Sequence, residues 1–411
     1  MKKQVLYVAV MAVLVSPVAQ AVSVKASVSA GLGYDTNAYH SPGSSYTDYS
    51  VDTDPTPAVV YPIITPVEQS GFFIPLTIDA SLNQDLSKSW MLKGVYSFDG
   101  TKYIDSKLDN ADAYDHILHL GVQNTLTNTN LRSSHIYAGL RMQDHQQTYA
   151  DRDTGSEKTT SSITSPKNIS DLYSYTATGL ELGYDYKQKQ SWDVDVSYRQ
   201  ENRDFATPPP ISSPEQDHTY TKLGATFGYE MGANWRAEFD VAKAKRDYDF
   251  RHAHNLDGTF SSVVLTYDYT DLGITIKQDV NKKLKMSYGY ATIARTDNNV
   301  GYNDYDLSEF TLGARYEFTD WLSLKGKLAA WQQDYPNAWN FDCDPTAGGS
   351  TCPANTGHKS ADGTTLSARL NVERSKTQDW WAEMEVKSSN NTDQRYDYDR
   401  NMLMAGVTWK F

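Results

Sequence analysis

Residues 403–411, Leu-Met-Ala-Gly-Val-Thr-Trp-Lys-Phe, decide how the rest of the chain is read. Leu403, Ala405, Val407, Trp409 and Phe411 alternate with Met404, Gly406, Thr408 and Lys410. Successive side chains of a strand point to opposite faces, so this period of two makes a strand with one apolar and one mixed face. Upstream, the same alternation predicts strands at 24–34, 74–82, 92–98, 118–122, 136–142, 180–186, 192–198 and 223–229. It continues at 235–241, 272–276, 284–290, 310–318, 322–328, 366–372 and 382–386. With the last stretch this makes about sixteen strands, an even number, each with room for the roughly 9–11 residues that cross a bilayer at a tilt.

Composition agrees with strands that cross a membrane. The 411-residue chain is 39% hydrophobic, and its mean hydropathy of −0.59 is that of a polar protein. Only alternate residues of a membrane-spanning strand must face lipid, so a barrel can be this polar. Nothing in the mature region approaches eighteen consecutive apolar residues, which excludes an inner-membrane helical protein. The fold class expected is all-β: one transmembrane antiparallel barrel over residues 22–411. Ahead of it, Lys2 and Lys3, an apolar run over 5–15 and Ala19-Gln20-Ala21 read as a signal peptide, residues 1–21, removed on export. No Cys follows that site, so no lipid anchor at a mature N-terminal Cys is expected. A formal charge of −13 argues against a nucleic-acid partner.

The connections alternate between short and long, which orients the barrel. The short ones fall at 86–89, 127–130, 187–191, 231–234, 281–283, 319–320 and 376–379 and read as periplasmic turns. Five of them are followed at once by Trp90, Trp192, Trp235, Trp321 and Trp380. A Trp where each strand re-enters the bilayer is one ring of an interfacial girdle, a regularity that core packing in a soluble sandwich would not produce. The long connections, 41–70, 149–170, 207–216, 252–261, 297–304, 336–360 and 391–400, are rich in Asp, Asn, Ser, Thr, Pro and Gly and read as extracellular loops. One of them holds Cys343 and Cys352, a pair that an oxidising surface compartment closes as a disulfide. With only His358 nearby, a metal site there lacks the ligands of a closed zinc site. Both thiols are expected to be blocked to maleimide until the protein is reduced. Labelling without reductant rejects the bridge.

If the apolar parity faces lipid, then Arg141, Arg199, Arg236, Glu238, Lys285, Arg315, Lys325, Arg369 and Glu383 are among the residues that point inward and are candidates to line a pore. Opposite signs occur on neighbouring strands, with no long run of one sign, so strong ion selectivity is not signalled. Inward aromatics read as few, Trp331 and Trp381 being the clearer. Nine histidines include His252 and His254 in a loop segment and His116, His119, His135 and His145 on or near strands. Without a nucleophile-elbow pattern they read as hydrogen-bonded wall or rim groups, so no enzyme activity and no cofactor is expected.

The terminal stretch resembles the closing strand of bacterial outer-membrane β-barrels, with Trp409 and Phe411 matching the signal that the barrel-assembly machinery reads. Gly31-Leu32-Gly33-Tyr34-Asp35-Thr36-Asn37 resembles the opening of porin-like barrels associated with exopolysaccharide synthesis and export, and also that of surface lipoprotein assembly modifiers. The latter usually carry helical repeats before the barrel, whereas here the first expected strand directly follows the expected signal peptide. The resemblance implies the outer membrane and its lipid as environment, a saccharide conduit as function, and periplasmic polysaccharide-export components as partners. The competing expectation is a surface-exposed structural or adhesion barrel with a closed lumen and partner-binding loops.

Overall fold

The computed structural model describes residues 22–48, 61–159, 168–206, 216–340 and 357–411. The expected signal peptide and the Cys343–Cys352 pair lie outside these residues. Sixteen antiparallel strands close into one barrel in chain order. They are β1 (Val22–Asp35), β4 (Gly71–Asp85), β5 (Trp90–Tyr103), β6 (Ala113–Asn128), β7 (Arg132–Gln147), β8 (Tyr175–Gln188), β9 (Trp192–Phe205) and β10 (His218–Glu230). The circuit continues with β11 (Trp235–His254), β12 (Phe260–Asp279), β13 (Leu284–Asp297), β14 (Tyr305–Thr319), β15 (Leu322–Trp339), β16 (His358–Ser375), β17 (Gln378–Asn391) and β18 (Tyr398–Lys410). A small ribbon, β2 (Tyr46–Thr47) with β3 (Ile63–Ile64), sits in the first connection.

Each alternating segment of the sequence falls in one barrel strand, because a closed ladder is what lets such a strand cross lipid. Every backbone N–H and C=O in the hydrocarbon layer needs a partner, and closure leaves no unpaired edge. The ring shuts where β1 pairs with β18 as well as with β4. At that seam Phe411 N–H donates to the Ala26 carbonyl at 2.8 Å, and Ala26 N–H donates back to Phe411 at 3.2 Å. Deleting Phe411 removes both bonds and is expected to lower the yield of heat-modifiable barrel and leave protease-sensitive periplasmic material. An unchanged yield counts against this role.

The two faces differ as a membrane requires. Leu180, Leu223, Leu272 and Leu403 lie more than half exposed on the outer face, where only lipid can cover them. At the periplasmic ends of the strands, Trp90, Trp235, Trp321, Trp380 and Trp409 also stand open, and Trp192 packs on Tyr186 at 4.8 Å. The turns beneath them are built from local hydrogen bonds. The Asn281 side chain accepts from the Lys283 and Leu284 N–H groups, Ser87 Oγ accepts from Trp90, and Gly232 takes φ +94°.

Some expected loops are shorter than the sequence indicates. The 252–261 segment is largely a hairpin: β11 runs to His254 and β12 starts at Phe260, so His252 and His254 are strand residues. An eighth outer connection, 104–112, carries a 3₁₀ helix, Ser106–Ala111, capped by the Asp105 side chain. Beyond the bilayer, ladder pairing continues without needing an apolar face, so polar sequence there hides strand.

Candidate functional site: the barrel interior and its loop cap

The G-x-G-Y-D-x-N stretch builds the top of the seam. Gly31 faces Gly406 across β1 and β18, and the missing side chains make room for Trp381. A Cβ on Gly31 would come within 3.0 Å of that indole, and one on Gly33 would enter the Phe73 ring. Asp35 is fully buried. It accepts from Arg400 at 3.1, 3.0 and 2.5 Å, from Tyr103 Oη at 2.6 Å and from Asn37 N–H at 2.9 Å. The Asn37 amide then donates to the carbonyls of Ser41 and Asp399, tying the first loop to the last strand. Burial, reinforced by the Arg400 and Arg152 cations, pushes His40 down to about 4, so its neutral Nε2 can accept from Arg400 at 2.8 Å.

Of the inward-pointing candidates, Arg141 is held in a buried network. Arg141 reaches Glu201 at 2.7 Å and the Gln143 amide oxygen at 2.7 Å, with Glu181 at 3.8 Å. Glu201, 1% exposed, also takes Arg203 at 2.6 Å and lies 3.9 Å from Arg199. His119 closes the cluster on Glu181 at 2.8 Å, and His135 pairs with Asp185 at 2.7 Å. Arg236 is likewise occupied, by Asp193 at 2.7 Å and by Glu230 and Glu238 at 2.8 Å each, while Glu238 also holds Lys277 at 2.6 Å. These groups knit the wall together.

Strand register corrects the expectation of alternating signs. Lys285 is directly opposite Arg315, Arg315 opposite Lys325, and Lys325 opposite Arg369, giving four cations in one row across β13 to β16. Glu383 ends the row opposite Arg369 and pairs with it at 3.0 Å. Lys327 stands on the same face one step above Lys325. The other wall has the converse pattern, with Asp99 opposite Asp115 and Asp185 opposite Asp195. The interior therefore carries a field across its width.

Three adjoining cavities follow the cationic wall. One of about 710 Å³ is bounded by Arg236, Lys285, Arg315, Lys325, Arg369 and Glu383. A second, of about 500 Å³, shares Thr311 and Lys327 with it and continues to Asp195 and Asp271. A third, of about 280 Å³, shares Arg315 and Lys325 and reaches Lys410 in the periplasmic end.

Inward aromatics are more numerous than the sequence indicates. Tyr175 packs on Phe205 at 4.9 Å, Phe205 on His218 at 5.5 Å, His218 on Tyr248 at 5.1 Å and Tyr248 on Tyr267 at 5.9 Å. Arg295 lies 4.3 Å from the Tyr267 ring centre and 4.2 Å from that of Tyr305. His218, Tyr248 and Tyr267 are buried, so this part of the row packs the outer wall and leaves few ring faces free for a ligand. These residues lie on strand extensions beyond the apolar windows, which is why periodicity missed them.

Over the outer mouth the connections hold one another. The β7–β8 connection reaches back to the first loop, where Arg152 carbonyl accepts from Ser41 Oγ at 2.5 Å and Asp153 accepts from Tyr46 Oη at 2.8 Å. It touches the last loop through Arg152 over the Tyr396 ring at 4.8 Å. Arg395 of that loop pairs with Asp48 at 3.5 Å. Asn110 of the 3₁₀ segment donates to the Gly155 carbonyl at 3.0 Å. Among the described residues no group of three His, Cys, Asp or Glu side chains is arranged to hold a metal.

No family model matches the chain, and no characterised protein matches it by sequence. Solved outer-membrane barrels are similar over nearly its whole length. A loop L8 deletion mutant of OmpT, an outer membrane protein of Vibrio cholerae, is 13% identical with a TM-score of 0.46, covering 96% of this chain and 100% of that one. The anion-selective porin from Comamonas acidovorans is 11% identical with a TM-score of 0.45, covering 95% and 100%. The outer membrane channel DcaP of Acinetobacter baumannii is 12% identical with a TM-score of 0.46, covering 95% and 97%. The likeness is one of barrel architecture. The closed ladder, the apolar exterior and the Trp ring make this chain a β-barrel of the bacterial outer membrane.

Proposed function

We propose that the barrel is a passive conduit for saccharides, either secreted polysaccharide or diffusing oligosaccharide, and that it uses no nucleotide or cofactor. The observation that carries this reading is the run of adjoining cavities along a charged inner wall, from the periplasmic end towards the middle of the barrel. A sixteen-strand circumference is in the range where closed barrels enclose water, and a polar lining suits hydroxyl-rich solutes. The packed loops restrict the outer mouth, and periplasmic polysaccharide-export components are the partners this reading assigns to the other end.

The mutual loop contacts favour a second reading, a structural or adhesion barrel with a closed lumen. Single-channel recording in a planar bilayer separates the two. A conduit gives steady conductance, and vesicles containing it swell in a neutral oligosaccharide at a rate that falls with sugar length. Folded protein without conductance or swelling leaves the structural reading.

A further inference from the structure

We infer that Lys285, Arg315, Lys325, Lys327 and Arg369 form a binding site for a saccharide that bears a carboxylate on successive sugar units. The inference takes its ligand class from the conduit reading and its charge from the wall itself.

Like charges directly opposite each other on neighbouring strands are destabilising, so a row of four is not the arrangement that stability alone selects. Elsewhere in this interior three arginines are neutralised: Arg236 is surrounded by three carboxylates, and Arg141 and Arg203 share Glu201. Along the row the compensation is thin. Lys285 has Asp279 at 3.6 Å, Arg315 has Glu317 at 3.2 Å, and Arg369 has Glu383 at 3.0 Å. Neither Lys325 nor Lys327 has an ion pair or side-chain hydrogen bond among the described residues. All five line the 710 Å³ cavity, so their charge is directed into space that a ligand can occupy.

Two features select the ligand. Neighbouring strands are about 4.8 Å apart, comparable with the length of one pyranose unit, so a chain laid across the row advances about one sugar unit per strand and keeps carboxylates within reach of the cations along it. Arginine matches a planar carboxylate with two parallel N–H donors, and Arg369 is steadied for this by Trp381, whose ring centre lies 4.5 Å from its guanidinium. A lone inorganic oxyanion would use one or two of the five cations and leave the others facing each other.

The test is calorimetric titration of the full barrel in detergent with trigalacturonate, maltotriose and sodium sulfate, on the wild type, on Lys325→Gln/Lys327→Gln and on Lys93→Gln. Lys93 lies on β5, away from the row, and serves as a control for loss of one inner cation. Because neither changed lysine has a described partner, the double variant is expected to keep its heat-modifiable fold. Trigalacturonate should bind the wild type and Lys93→Gln alike, and the double variant about tenfold or more weakly. Maltotriose should bind at least about tenfold more weakly than trigalacturonate. Equal affinity for the neutral sugar, equal affinity for sulfate, or an unchanged double variant each overturns the site. Binding is read without current, so a protein that binds trigalacturonate but never conducts keeps the site and loses the conduit. One that conducts without binding it keeps the conduit and loses the site.

Discussion

A cysteine replacing Arg315 or Arg369 is expected to react with a membrane-impermeant hydrophilic thiol reagent, and a cysteine replacing Ala314 or Ala368 is expected not to. The pairs are adjacent in sequence, so only the alternation of faces separates them. Arg315 and Arg369 side chains are 47% and 35% exposed on the inner face, whereas Arg199 and Arg236 are 30% and 21% exposed among their partners. Labelling should therefore be fastest at Arg315→Cys and slowest at Arg236→Cys. A bulky adduct at Arg315 or Arg369 projects into the inner cavity of about 710 Å³ and should lower conductance by a large fraction. The experiment is run with Cys343 and Cys352 replaced, so that the introduced thiol is the only one. If the Arg and Ala positions label alike, or if the protein never conducts, the open-lumen reading fails and the structural alternative replaces it.

Asp35→Ala is expected to have the largest effect on stability. Its carboxylate is wholly buried and accepts from Arg400, Tyr103 and the Asn37 backbone where β1 meets β18. Removing it strands the Arg400 guanidinium, itself only 15% exposed, without its main partner. Breaking a buried ion pair from one side typically costs about 3–5 kcal/mol. The loss falls on the one strand pair that closes the ring, so the urea midpoint should drop and unfolding should start there. Asp35→Asn keeps the shape and some hydrogen bonds and should lose less. A midpoint for Asp35→Ala equal to that of the wild type would show that the seam does not depend on this hub.

The motif containing Asp35 was visible in the sequence, but its reason was not. Gly31 needs Gly406, Trp381 and Ala405, all more than 300 residues away in the chain, and Asp35 needs Arg400. A glycine pattern signals that something approaches closely. Only the closed barrel says what.

The sequence by itself determined the spanning strands, about sixteen of them, and the alternation of apolar and mixed faces along each. A bilayer forces a local rule on every spanning strand, apolar residues at alternate positions for about ten residues, and a local rule is legible one segment at a time. It also determined the short turns with their Trp residues, since the interface acts on each re-entry separately. The tertiary structure alone decided which cation stands opposite which, how far the strands continue past the lipid, and which loops meet over the mouth. Register is set by hydrogen bonds between strands, and a shift of two residues preserves every inside–outside assignment while changing every neighbour. The row from Lys285 to Arg369 exists through that register. No residue in it announces its neighbours from its own strand.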